Sequence, residues 1–181
     1  MTTYDAAYQG APGAFSEEAA LAVIGGSPRL LACATFEEVF DAVVDGRAWH
    51  GVVPVENSLA GRVAPVARLL EDRPVAIVGE ITLRIAQSLV AAPGATFETV
   101  RRVRSHPVAL AQCAGFFARN PGVEAVEAYD TAGAVAEVVR AGALDEAAIA
   151  GRRAADVYGG VVLEDEIQDS PDNRTRFVIV V

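Results

Sequence analysis

The chain has two cysteines and two histidines among 181 residues. It also has no apolar run approaching the ~18 residues of a membrane-spanning helix. Each scarcity excludes something. Cys33 and Cys113 lack metal-like spacing and read as two buried thiols in a reduced, cytoplasmic setting. His50 and His106 are too few for a multi-histidine metal site. The stretch Met1 to Asp5 lacks the basic and apolar regions of a signal peptide. Basic residues are outnumbered: the net charge is -9 and the pI about 4.7, which argues against nucleic acid and anionic membranes as partners. A small anion stays admissible, because local donors can outweigh a distant net charge. Gly10 to Ser16 lacks the lysine of a phosphate loop, and no glycine-rich dinucleotide fingerprint follows the first strand. What is present is a 52% hydrophobic composition, enough for a packed core and against disorder. The length suits one domain or two small lobes.

Strand and helix patterns alternate from the start. Ala6 to Gly10 reads as a strand, Gly10 to Gly13 as a turn, and Ser16 can cap a helix that stops at Gly25-Gly26. Arg29 to Ala34 is a strand, and Thr35-Phe36-Glu37-Glu38 is a capping box opening a helix to Asp45-Gly46. His50 to Val55 is a third strand, Glu56 to Gly61 a polar turn, and Val63 to Leu70 a helix. This alternation predicts an α/β architecture with a largely parallel sheet. Val75 to Val90 is β-rich but would span roughly 50 Å as one strand. It is better read as one or two strands passing into a second lobe. The alternation then restarts: a strand at 100–104, a helix from Ser105-His106-Pro107 to about Asn120, and a strand at 123–129. A helix capped by Asp130-Thr131, a short strand at 147–150 and a short helix at 152–158 follow. Val161 to Leu163 leads back, and Val178 to Val181 closes the chain as a buried strand. The expected lobes are about 1–80 with 161–181, and about 81–160.

Four polar clusters share one address. Gly10 to Ser16, Glu56 to Gly61, Ser105 to Pro107 and Asp130-Thr131 each follow a strand and precede a helix. In open α/β sheets such turns lie at the carboxyl ends of strands, where ligands bind, and helix N-termini there favour anions. A fifth stretch, Asn173-Arg174-Thr175-Arg176-Phe177, puts a hydroxyl, an amide and two guanidiniums at the mouth of the last strand. Single residues carry two readings. His106 is a general base or a structural histidine at a helix start. Asp130 is an acid or an N-cap, Glu56 a site carboxylate or a loop-ordering one, and Cys113 a core thiol.

Taken together, these residues resemble the catalytic domain of prephenate dehydratase. The resemblance is carried by Tyr8 to Glu17, Val53 to Ser58 with Gly61, and Ser105-His106-Pro107 with Ala109-Leu110 and Gln112-Cys113. Asp130-Thr131-Ala132, Tyr158-Gly159 and Asn173 to Phe177 complete it, in this order over nearly the whole chain. It implies a two-lobed α/β fold like type 2 periplasmic binding proteins, with the site in the interlobe cleft. It implies conversion of prephenate to phenylpyruvate with loss of water and carbon dioxide, without metal or organic cofactor. By the same resemblance Thr175, Asn57, Ser105 and Gln112 are the expected catalytic set. Ser58, Gly61, Thr131, Ala132, Arg176 and Phe177 are expected around the substrate, Arg176 either neutralising a carboxylate or forming a salt bridge beneath the strand. Relatives commonly dimerise, and the Ala-rich helices offer an interface, so a homodimer is expected.

Two positions depart from the family pattern: Val108 where glutamine is frequent and Gln87 where histidine is frequent. Both bear on substrate choice. Many relatives continue into a phenylalanine-binding ACT domain; here Phe177 is followed by only Val178 to Val181, so no feedback inhibition through such a domain is expected. Arogenate dehydratase is the nearest alternative activity. A decarboxylase that retains the ring hydroxyl is expected to lack Thr175 and Arg176. A non-catalytic module that binds a small acid is the reading from another class.

Overall fold

A computed structural model describes residues 3–181, and the chain divides into two units. The expected lack of a signal peptide falls partly on Met1 and Thr2, outside the described residues. No helix among the described residues is long and apolar enough to cross a membrane.

The first unit comprises residues up to Ala11, Phe15–Ile85 and Asp172–Val181. It holds β1 (Tyr4–Gln9), α1 (Phe15–Ile24), β2 (Leu30–Cys33), α2 (Phe36–Val44), β3 (Ala48–Asn57), β4 (Gly61–Arg62), α3 (Ala64–Asp72), β5 (Ile77–Arg84) and, in its middle, the last strand β11 (Arg174–Val180). The sheet order is β2-β1-β3-β11-β5, with β4 folded back on β3. The reason for the central place of β11 is written in its side chains. Phe177 and Ile179 enter one core with Ala6, Ala19, Ala20 and Val52. Val178 and Val180 enter the opposite core with Val39, Phe40, Val53 and Val66. A strand apolar on both faces must be covered on both, which a central position provides. Each fully buried Phe, Val or Ile contributes about 1.5–3 kcal/mol. Helix α2 begins as its sequence predicts: Glu38 N–H donates to Thr35 Oγ1 at 3.2 Å. The Glu38 carboxylate reaches back one residue further than expected, to Ala34 N–H at 2.7 Å.

The second unit comprises Pro12–Ala14 and Ala86–Pro171. It holds β6 (Ser88–Ala91), a 3-10 turn at Phe97–Thr99, β7 (Arg102–Ser105), α4 (Pro107–Ala111), α5 (Ala114–Arg119), β8 (Glu124–Glu127), α6 (Thr131–Ala141), β9 (Glu146–Ala150), α7 (Arg152–Tyr158) and β10 (Val161–Glu164), in the sheet order β10-β6-β9-β7-β8. Leu89, Val100, Val103, Phe116, Ile149 and Ile167 form its core. Phe116 meets Phe97 and Phe117 edge to face. Gly13, in the positive-φ region at 88°, lies against α7; a Cβ there would sit 2.7 Å from Ala154 Cα, so only glycine fits.

Four expectations change. Both sheets are mixed rather than largely parallel, because β11 runs antiparallel to β3 and β5, and β6 runs antiparallel to β9 and β10. Residues 161–171 belong to the second unit, since β10 pairs with β6, while residues 81–85 stay with the first through the pairing of β5 with β11. The single helix expected from Pro107 to Asn120 is two. Its ladder breaks at Gln112-Cys113, where Asp169 fills the gap: Asp169 N–H donates to the Gln112 carbonyl and Gly115 N–H to Asp169 Oδ1, both at 2.8 Å. Glu56 to Gly61 is not a strand-to-helix turn, for β3 continues through Asn57 and the turn folds onto β4.

Candidate active site

In the first unit the expected residues meet at the start of β11. Its ladder places Thr175 opposite Asn57 at the end of β3. Asn57 Nδ2 donates to Asn173 Oδ1 at 2.8 Å, to Thr175 Oγ1 at 2.9 Å and to the Arg174 carbonyl at 3.1 Å. Asn57 Oδ1 accepts from the N–H groups of Leu59 and Ala60 at 3.0 and 2.9 Å, which is how Asn stabilises a turn through its own side chain. One amide thus shapes the turn after β3 and fixes the Thr175 hydroxyl. The accepting role of Thr175 Oγ1 leaves its proton for an outside acceptor, and the side chain is only 8% exposed. Ser58 locks the same corner: its hydroxyl donates to the Asp172 carbonyl at 3.2 Å and accepts from Arg174 N–H at 3.0 Å. Both bonding capacities of that hydroxyl go to backbone, so Ser58 positions the corner. Gly61 ends the turn at φ 82°, a conformation that favours glycine. Asn173, fully buried, is the member of this cluster to which sequence reasoning assigned no role. Its signal was present, as an amide next to the Thr-Arg-Phe stretch, but only the folded chain shows which amide it meets.

Along β11, Phe177 follows on the face of Thr175 but inside the core, and alternation turns Arg176 away. Phe177 is 2% exposed and packs in the core on the α1 side. Arg176 lies on the opposite face, where it bridges Glu56 at 3.4 Å and Glu80 at 3.3 Å. The salt-bridge alternative is therefore the one the structure contains, and Glu56 is its partner. A concavity of ≈ 360 Å³ on that face is lined by Val55, Glu56, Arg62, Leu70, Ile77 and Arg176, and neither Thr175 nor Asn57 reaches it. The chain has no lysine among its 15 basic residues, so any cationic contact falls to arginine.

In the second unit Ser105, Thr131 and Ala132 stand where a strand ends or a helix begins, and Gln112 stands at the far end of α4. Ser105 closes β7, is fully buried, and donates from Oγ to the Ile149 carbonyl at 2.6 Å. His106 is the N-cap of α4, its Nδ1 accepting from Val108 N–H at 3.2 Å. That is the structural reading of this histidine. Asp130 is likewise the N-cap of α6, accepting from Gly133 N–H at 2.5 Å. Thr131 and the fully buried Ala132 follow in the first turn. Gln112 ends α4, its carbonyl held by Asp169. Burial raises both thiols: Cys33 is pushed up from 9.0 to about 11, with Glu38 adding to the effect, and Cys113 to about 12, with Asp169 adding to it. Burial thus favours the neutral thiol at both positions, the state of a core cysteine.

The comparisons agree with one another. The family model described as prephenate dehydratase matches residues 6–181. Arogenate dehydratase 3, chloroplastic, of Arabidopsis thaliana is 44% identical over 177 residues, covering 96% of this chain and 41% of that protein. The bifunctional N-acyl-homoserine lactone acylase/prephenate dehydratase of Komagataeibacter europaeus is 39% identical, covering 96% of this chain and 61% of that protein. Among solved structures, the prephenate dehydratase of Arthrobacter aurescens, in complex with L-Phe, superposes with a TM-score of 0.87. It shares 30% identity, with 96% of this chain and 59% of the other covered. The chain thus spans about four- to six-tenths of the length of these relatives. With the ordered motifs, the α/β architecture and the residues matched, this chain belongs to the prephenate dehydratase family.

Proposed function

We propose that the protein converts prephenate to phenylpyruvate, with loss of water and carbon dioxide. The observation that carries this is the buried Thr175 hydroxyl, oriented by Asn57 with its proton unspent, in a chain matched by the family model from residue 6 to its end. The chemistry asks for little more. Prephenate carries a ring carboxylate and a pyruvyl carboxylate, with a hydroxyl across the ring. Aromatisation drives the reaction, so no strong base is required. The hydroxyl leaves as water if a donor assists it, and the ring carboxylate departs as carbon dioxide as its electrons enter the ring. Thr175 is a weak acid, so it acts by donating a hydrogen bond to the departing oxygen or by relaying a proton to it. Asn57 and Ser58 hold Thr175 in place. Ser105, Gln112, Thr131 and Ala132 are assigned to orienting the substrate; Ser105 spends its own proton on Ile149, which leaves its oxygen as an acceptor. Phe177 belongs to the core on the α1 side, and Arg176 serves the sheet through Glu56 and Glu80.

Product analysis tests this reading. Purified protein is incubated with prephenate at neutral pH and the product identified by mass. Phenylpyruvate is expected; a decarboxylated product that keeps the hydroxyl would assign the chain to decarboxylation, and saturable binding without product would make it a binding module. We also propose that the protein is a homodimer through its alanine-rich helices. Light scattering should then give twice the 18.9 kDa chain mass, and a single-chain mass would refute the dimer.

A further inference from the structure

Gln87 is a buried residue with an unused acceptor. It is 2% exposed, and its Oε1 has no hydrogen-bond partner among the described residues. Its backbone is fixed on both sides: its N–H donates to Gln168 Oε1 at 2.8 Å and its carbonyl accepts from Ile167 N–H at 2.9 Å. The groups next to it are already spent. Ser88 Oγ donates to Asp165 Oδ1 at 2.7 Å, and the other oxygen of Asp165 pairs with Arg152. An orphaned buried acceptor is costly, and the fixed backbone on both sides keeps the residue at this position in the fold.

Its address is the edge of the second sheet at which Ser105 ends β7. β7 and β9 run parallel, so Ser105 and Ala150 end at one edge of the sheet. β6 runs antiparallel to β9 with Ser88 opposite Ala150, so the residue before β6, Gln87, stands at that same edge. An amide oxygen can only accept. The one donor on prephenate is the ring hydroxyl, and a buried acceptor there would draw its proton away from the oxygen that must leave as water. The keto oxygen offers lone pairs alone. An ammonium in place of the keto group, as in arogenate, offers three N–H donors.

We infer that Gln87 is a specificity-determining residue that recognises the side-chain ammonium of the amino form of the substrate. The inference rests on the dehydratase reading above. It extends the range of the same site from the keto acid to the amino acid. A site holding a buried acceptor gains with a substrate that pairs it and loses with one that does not.

The test is kcat/KM for arogenate and for prephenate in the wild type, Gln87→Met and Gln87→Glu. Methionine keeps the size and removes the acceptor, so the arogenate-to-prephenate ratio should fall by about tenfold, the scale of one lost buried hydrogen bond. Glutamate keeps an acceptor, so the ratio should return to the wild-type value or exceed it. A general loss of folding or of site geometry cancels in the ratio. A ratio unchanged by Gln87→Met overturns the inference while leaving the dehydratase reading intact. If neither compound is converted, the dehydratase reading fails, and the ratio of the two dissociation constants by calorimetry takes its place. Equal effects of Gln87→Met on both constants then overturn the inference.

Discussion

Replacing Thr175 with alanine should lower turnover of prephenate by about two orders of magnitude or more, the effect of removing one donor aimed at a transition-state oxygen. The expectation follows from a single arrangement. Thr175 Oγ1 accepts from Asn57, so its proton is held in reserve and its direction is set by the β3–β11 ladder. Folding should survive, because deleting a hydroxyl and a methyl at the mouth of β11 leaves Phe177, Val178, Ile179 and Val180 in their cores. Thr175→Ser keeps the donor and should keep most of the rate. Steady-state kinetics with circular dichroism on both variants check this. Full activity in Thr175→Ala would remove the residue from the mechanism.

The second large effect is expected at Asn57. Its side chain donates to Asn173 and Thr175 and accepts from two turn N–H groups. Asn57→Leu leaves all of these without their partner. The exposed turn N–H groups turn to water, so the cost should be about 1–2 kcal/mol, set mainly by the part-buried bonds to Asn173 and Thr175. Activity should fall about a hundredfold, since a misplacement of about 1 Å in a catalytic group costs that much. Asn57→Asp separates the two roles. It keeps oxygens for the turn and loses the donor to Thr175. It also loses the donor to Asn173 and the Arg174 carbonyl, so its melting temperature should fall, though less than in Asn57→Leu, while kcat falls and KM changes little. A loss confined to KM would mean that Asn57 contacts substrate instead of positioning Thr175.

Much of this was readable from residue types. Three caps were legible because they are local: Thr35, His106 and Asp130 each accept from a backbone N–H two or three residues ahead, whereas Ser16, expected as a cap, lies inside α1, which begins at Phe15. The passage from Val75 to Val90 into a second unit was legible from length alone, and it resolves into β5 and β6. Strand direction was not legible, because it depends on partners far away in sequence. β11 lies between β3 and β5, and no local pattern states that the last strand enters the middle of the first sheet. The helix break at Gln112-Cys113 was hidden for the same reason, since its cause is Asp169, more than fifty residues on. The stretch Asn173 to Phe177 lies, as its residue types suggest, at the mouth of β11. Period-two alternation then sorts its members, with Thr175 and Phe177 on one face and Arg176 on the other among carboxylates. The bonds of Asn57 to Asn173 and Thr175 span more than a hundred residues, which only the fold could show.

The most direct test of the central claim uses prephenate labelled with heavy oxygen in the ring hydroxyl, at neutral pH. Each phenylpyruvate formed should be accompanied by one carbon dioxide and one labelled water, with no label left in the organic product. Carbon dioxide released while the label stays in the product would contradict it, showing decarboxylation without dehydration.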